Sequence, residues 1–438
     1  MDQIELLEPF LQGGIRNTNF FNGRLLSAED LRTEQAASRQ QRAQLGRAVG
    51  AGVVSGLDVE AGAPDEKTSA TTVLNVSAGL ALNERGQALE LPQEMQVALV
   101  RAQDAGGTDA GLFAPCSPET QTAVIAGSGV YVLVIAPASG FAERAPSSGL
   151  GGNALTSPGC GSRYAVEGVQ FRLLPLDLNK LEWLPQSSLA QLAALMSSNT
   201  AAARSKLRNW LAHLCFGDVQ LRQFADDPFS PTGDNPPPPY GALDDLRAQG
   251  SLTSCDVPLA LLYWTSGGIQ FVDVWAARRS PFTPTSAGRW ALFTSARRQR
   301  EAEAMFLQFQ TQLQELRAAA TNLDQLVASD YFAYLPPVGL VPLTGPGGSP
   351  GFTYQNFFAG QATRPPAYIE GAAVESQVRT AFNYAPVSLA NKDPMWLYQV
   401  LDGPAPRPYL IFVSAFAPYQ AEARFDFVRW NFSRFYRA

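Results

Sequence analysis

The chain has 438 residues, 46% of them hydrophobic and only 16% charged, with a formal net charge of -6. That length predicts two or three cores rather than one, and the sparse charge fits a protein much of whose surface lies against neighbours. The acidic balance argues against wrapping nucleic acid, which needs clustered positive charge to displace counterions.

Lysine occurs only at Lys67, Lys180, Lys206 and Lys392, and arginine supplies the remaining positive charge. Arginine's planar fork suits packed polar interfaces, although a genome rich in G and C accounts for the same bias more simply. The opening residues, Met1 to Glu5, are acidic and lead into no signal-like apolar stretch. No run approaches the ~18 apolar residues that span a bilayer, so a soluble protein made in the cytoplasm is expected. Cys116, Cys160, Cys215 and Cys255 are far apart with no CxxC pair. They read as small buried apolar residues, with a Cys116–Cys160 bridge as the alternative.

In chain order, Asn19 to Leu26 reads as a short strand or turn. It leads into a capping box with Ser27 as N-cap and Asp30 at the third helical position, and a helix to about Val49. The period then changes. Gly52–Glu60, Thr72–Ser77, Gly79–Leu82, Gln87–Leu91, Gly129–Ala136 and Val166–Leu176 are short strands with Gly, Asn or Pro between them. They predict a sandwich or barrel within the first 175 residues or so. Ser187–Ser197 and Ala201–Phe216 read as helices, the second with Leu207, Trp210, Leu211, Leu214 and Cys215 on one face. The stiff loop Asp234–Tyr240 carries four consecutive prolines. A hairpin follows, Val257–Trp264 and Gly268–Trp275.

From Leu292 to about Ser329 there is neither Pro nor Gly. Met305, Phe309, Leu313, Leu316, Ala320, Leu323 and Val327 recur in near-heptad order. A helix of that length would be about 55 Å long. Its apolar stripe is either a coiled-coil seam between subunits or a face packed on its own domain. Beyond it lie mixed short elements, the loop Thr344–Gly351 and the aromatic, basic tail Phe425–Arg437. The expected fold is α+β and multidomain: a β-rich domain (1–180), a helical stalk interrupted by a hairpin (181–330) and a mixed α/β interaction domain (331–438).

Residues with catalytic potential are few. The single histidine, His213, stands among apolar residues on a helix. Zinc sites draw on several His or Cys ligands, and Cys215, two positions on, points to another face. Ala126-Gly-Ser-Gly129 lacks the nucleophile-elbow pattern. The run Gly345–Gly351 contains two prolines, which cannot donate backbone N–H groups to a phosphate. The acidic pairs Glu29-Asp30, Asp226-Asp227 and Asp244-Asp245 fall in caps or loops without a partner for acid–base work. The tail could stack on sugars or bases, though its density of large apolar groups fits burial better. No catalytic residue, metal or cofactor is expected.

Asn19-Phe-Phe-Asn-Gly-Arg-Leu-Leu-Ser-Ala-Glu-Asp-Leu-Arg-Thr-Glu-Gln35 resembles the opening of TssK, the trimeric baseplate subunit of type VI secretion systems. The likeness continues through Gly52–Leu57, Leu74–Val76, Gly79–Leu82 and Leu89–Pro92, about a fifth of the chain. Asn22 stands where that family has an acidic residue, and Ser27-Ala-Glu-Asp-Leu31 replaces its Pro-Gln-His-Phe core. The start is also similar to that of proteins from extracellular contractile injection clusters, in which segments like Cys160–Tyr164, Asp256–Ala260 and Phe332–Pro337 recur. The resemblance implies a non-catalytic baseplate adaptor whose β-rich domain docks on the baseplate wedge. The middle helices would form a stalk, and the C-terminal region would meet a fibre or anchoring partner. Implied partners are baseplate, sheath or fibre proteins and further copies of the chain, with a trimer favoured; membrane contact would come only through a partner. Assembly would begin in the cytoplasm and end in a phage-tail-like particle, extracellular or membrane-anchored. The contact residues expected are Phe20, Phe21, Asn22, Gly23 and Leu25 at the start, Met305, Phe309, Leu313 and Leu316 on the long helix, and Trp430 and Phe432 in the tail. A receptor-binding or adhesin-like tail subunit is the alternative. A hydrolase, the third possibility, would need His213 in a cleft beside a nucleophile and a carboxylate.

Overall fold

The computed structural model describes residues 11–63, 72–99, 128–146, 160–217, 241–283, 296–344, 351–402 and 405–419. Helix α1 (Ala28–Val49) begins as its sequence dictates. Ser27 N–H donates to Asp30 Oδ2 at 2.9 Å, and Asp30 N–H donates to Ser27 Oγ at 3.1 Å. Strands β1 (Gly52–Gly56), β2 (Val59–Ala61), β3 (Val73–Val76), β4 (Gly79–Leu82), β5 (Ala88–Leu91) and β6 (Met95–Ala98) follow. They form two antiparallel three-stranded sheets, ordered β1-β4-β5 and β2-β3-β6. The chain changes sheet at Gly56 and Leu57, both with φ near +57°. A Cβ at Gly56 would collide with the Ala78 carbonyl, so only glycine fits there.

A larger four-stranded antiparallel sheet, ordered β10-β9-β7-β8, lies beneath. It is built from β7 (Gly129–Pro146), β8 (Cys160–Pro175), β9 (Val257–Thr265) and β10 (Gly268–Asp273). The run Val130–Ala136 is apolar at every position because both faces of β7 are covered. Tyr131, Leu133 and Ile135 pack with Val53, Leu74 and Leu89 of the small sheets. Val130, Val132 and Val134 pack with Leu207, Leu211 and Leu214 of helix α3. The result is a sandwich-like pair of β layers with helices on the outer face. Among the described residues no barrel closes.

Helices α2 (Gln186–Ser197), α3 (Ala201–Phe216) and α5 (Ala296–Ala319) follow the order expected, whereas α4 (Ala242–Ala248), ahead of the hairpin, forms where Asp244-Asp245 were expected in a cap or loop. The predicted stalk, however, is not separate. The hairpin β9–β10 pairs with β7 from Gly129↔Trp264 to Ile135↔Val257, so a boundary at residue 180 would cut a sheet. The expected 38-position helix is also shorter. It spans 24 described residues, roughly 36 Å. Asn322 then accepts the Asp324 N–H and starts a separate 3-10 turn. Residues 292–295 lie outside the described residues.

The C-terminal part contains a two-stranded pair, β11 (Tyr334–Leu335) with β14 (Val387–Ser388), and a mixed four-stranded sheet. That sheet, ordered β12-β16-β15-β13, comprises β12 (Val338–Pro342), β13 (Ala367–Glu370), β15 (Met395–Asp402) and β16 (Ala405–Ser414). Only β13 and β15 run parallel among its pairs. Leu410 and Phe412 face a core with Phe309, Phe332 and Phe352. Ile411 and Val413 face another with Tyr398, Val400 and helix α6 (Val374–Ala381). Helix α5 contributes Met305 to the helical core and Phe309 and Leu313 to the C-terminal one, so it joins layers instead of projecting as a stalk.

Cys255 is disulfide-bonded, which corrects its expectation as a plain buried apolar residue. Cys215 is a buried free thiol whose pKa burial pushes up to about 12. The Cys116–Cys160 alternative and the Pro-rich loop Asp234–Tyr240 lie outside the residues whose side chains are described.

Candidate interaction surfaces

Just before α1, an arm folds back on the helix through polar groups. Thr18 N–H donates to Glu34 Oε2 (3.1 Å) and its hydroxyl to the Asp30 carbonyl (3.0 Å). Arg24 donates to the Asn19 carbonyl (2.6 Å) and to Asp30 Oδ1 (2.5 Å). The Ser27 N–H and hydroxyl, and then the Arg24 guanidinium, hold the Asp30 carboxyl below its ordinary value. Arg24 N–H donates to Phe21 C=O across Asn22-Gly23, with Gly23 at φ +88°, a conformation that suits glycine in a tight turn.

This clasp turns the apolar groups outward. Phe20 and Phe21 are more than half exposed and Leu25 is 93% exposed, with Leu11, Leu26 and Leu31 also open. Along α1 only Ala37 and Gly46 are buried. Leu31, Leu45 and Val49 are exposed, and their spacings of 14 and 18 bring them to one side of the helix. After Glu34 the helix carries Arg39, Arg42 and Arg47 and no acid. Its anchor is close backbone contact, with Gly46 against Gly86 in the β4–β5 turn leaving no room for a Cβ on either. The structure thus presents Phe20, Phe21, Asn22, Gly23 and Leu25 on one exposed arm. Leu31, Leu45 and Val49 are not among the contact residues expected from the sequence, although their helical spacing could have revealed them.

The long-helix residues have a different place. Phe309 is 0% exposed, Met305 and Leu313 are also buried, and Leu316 is partly buried against the same core. Phe309 meets Phe332 and Phe412 at centroid distances of 5.1 and 5.2 Å. An apolar stripe already covered by its own chain cannot also be a seam between subunits, so these four are core residues. Trp430 and Phe432 lie outside the described residues.

Beside that helix is a buried polar network. Arg208 on α3 donates to Asp273 (2.8 Å) and Glu315 (2.6 Å), while Gln308 donates to Asp273 (3.1 Å) and Gln312 (2.8 Å). Burial works against the Arg208 charge, yet Asp273 and Glu315 outweigh it and raise its pKa. Asn209 accepts the N–H groups of Ala333 and Tyr334, each at 2.9 Å. The network ties α3, α5 and the segment after α5 together. His213 is fully enclosed, stacked on Tyr334 at 4.9 Å and edge-on to Phe216 at 5.3 Å. It therefore does not face a cleft. A second cluster joins α5 to α4, where Arg297 donates to Glu301 (2.7 Å) and Asp244 (2.6 Å). Burial pushes the Glu301 pKa up against the pull of Arg297 and Arg279.

In the C-terminal part, the Trp396 ring has the Arg364 guanidinium 5.2 Å from its centroid and the Tyr419 ring at 5.0 Å. Tyr368, Phe416 and Tyr419 are exposed. Among the described residues no group of three or more His, Cys, Asp or Glu could hold a metal ion, and no helix is long and apolar enough to cross a membrane.

No family model matches the chain, and no curated protein matches it. A chain in the cryo-electron microscopy structure of the type VI secretion system TssK-TssF-TssG baseplate subcomplex shows a weak likeness. The sequence identity is 14%, over 49% of this chain and 73% of that chain, with a TM-score of 0.19.

Proposed function

We propose that this chain is a structural adaptor subunit in the baseplate of a contractile injection system, and that its arm and α1 dock on a neighbouring baseplate protein. The observation that carries this reading is the inverted arm. Its polar groups are spent on holding residues 18–34 in one shape, while Phe20, Phe21, Leu25 and Leu26 are held out to solvent. Fixing exposed aromatic groups in advance lowers the ordering cost of binding, and contiguous exposed apolar groups mark interaction sites. The arginines of α1 favour an acidic rim on the partner. The resemblance of Asn19–Gln35 to the start of TssK supports the context, since it implies docking through this region. Fibre and sheath proteins of the same particle are the further partners.

Co-purification of the full chain with the baseplate proteins encoded beside it tests the reading. A stable complex is expected, weakened at least tenfold by Phe21→Ser with Leu25→Ser. A complex indifferent to both substitutions, or none with any baseplate protein, contradicts it.

The aromatic group around Trp396 favours a second reading, a receptor-binding subunit that stacks a sugar on the exposed Tyr419. Glycan binding abolished by Tyr419→Ala would support it, and a glycan screen without a hit would dismiss it.

A further inference from the structure

Strands β7 and β8 run on as a two-stranded ribbon after β9 ends. The pairing of β7 with β9 stops at Ile135↔Val257, whereas β7 and β8 stay paired from Tyr131↔Pro175 to Pro146↔Cys160. The stretch beyond Ala136 is roughly 30 Å long. Among the described residues no strand pairs with the outer edge of β8. Phe141, Tyr164 and Val166 are 64%, 47% and 49% exposed on this ribbon. A lone two-stranded ribbon is marginal in water, and an open edge with large apolar groups invites another strand.

The residues along that edge say which strand fits. Ser162-Arg163-Tyr164-Ala165-Val166-Glu167-Gly168 is complementary to itself when reversed about Ala165. In an antiparallel pair centred there, Arg163 stands opposite Glu167 twice, and Tyr164 stands opposite Val166 twice. Opposite charges and aromatic–β-branched pairs are favourable directly across a ladder. On one face Ala165 is flanked by Phe141 of its own ribbon, its registered neighbour, so the two alanines would lie between two phenylalanines. The present partners of the charged residues are exposed side chains and are easily exchanged: Glu143 for Arg163 at 3.0 Å and Arg39 for Glu167 at 3.1 Å.

We propose that β8 pairs edge to edge with β8 of a second copy, antiparallel about a two-fold axis at Ala165, making the two ribbons one four-stranded sheet. A two-fold contact is self-complementary by definition, and this strand has that property in charge and in shape. The contact does not use the long helix read as a possible seam between subunits.

Light scattering after size-exclusion chromatography of the full chain over a concentration series tests it. A concentration-dependent dimer is expected. Arg163→Glu alone sets like charges opposite each other twice and weakens the dimer at least tenfold, as does Glu167→Arg alone. The double variant R163E/E167R restores it. Circular dichroism melts confirm that each variant is folded. Ala165→Cys, at the axis, should oxidise to a covalent dimer because the paired Cα atoms lie within disulfide reach, whereas Ser162→Cys should not. A monomer at every concentration overturns the proposal. So does an oligomer unaffected by Arg163→Glu, or a double variant that stays monomeric.

Discussion

Asp30 and Asp273 show how one carboxylate can set a local shape. Asp30 has its pKa lowered from 3.8 by the Ser27 N–H and hydroxyl and then by Arg24. A carboxylate depressed in the folded state contributes stability above its unfolded value and loses it as the pH falls through the lower folded value. The amide resonances of Thr18 and Ser27 should therefore hold constant from neutral pH to about pH 4. Below that they should move toward coil positions, and in Asp30→Asn this step should vanish. Asp273 is fully buried; it accepts from Arg208 and Gln308 and also caps the turn at Ala276. Asp273→Ala leaves the Arg208 charge enclosed with only half-exposed Glu315 for company. A loss of about 3–5 kcal/mol is expected in chemical denaturation, and Arg208→Met in the same chain should recover part of it.

At the scale of elements, α1 and α5 have opposite fates. Helix α1 is held by its glycine contact with the β4–β5 turn. Gly86→Ala puts a Cβ against the Ala43 carbonyl at a position with φ +79°, so α1 should detach and become sensitive to limited proteolysis while the sheets stay folded. Helix α5 is interior, and Phe309→Ala should cost about 3–5 kcal/mol in unfolding free energy without changing the oligomeric mass.

Which elements were legible follows from what is local. The capping box at Ser27, the full length of α3 and the β9–β10 turn depend on neighbours in the chain, and the residues announce them. The stripe Met305, Phe309, Leu313, Leu316 announces an apolar face but not what covers it, because a seam and a core contact share one spacing. The pairing of β9 with β7, more than a hundred positions apart, carries no local signal either. The extra length of the β7–β8 ribbon was missed because past Ala136 its apolar residues are sparse. The outward arm was legible as a motif, whereas its clasp of Thr18, Arg24 and Asp30 needed coordinates.

At the scale of the whole molecule, helices cover one face of the large sheet and α5 links that unit to the C-terminal sheet through side chains of both cores. Besides the exposed aromatic residues Tyr368, Phe416 and Tyr419, the described surface leaves two features open: the arm with α1, and the β7–β8 ribbon. Both suit a part that is built into a larger particle. Hydrogen exchange of residues 11–49, compared between the isolated chain and the chain in assembled baseplates, tests the central claim most directly. Protection of Phe20 to Leu31 should rise at least tenfold on assembly, while amides inside the sheets change little. Equal exchange of this arm in both states would contradict its role as the docking element.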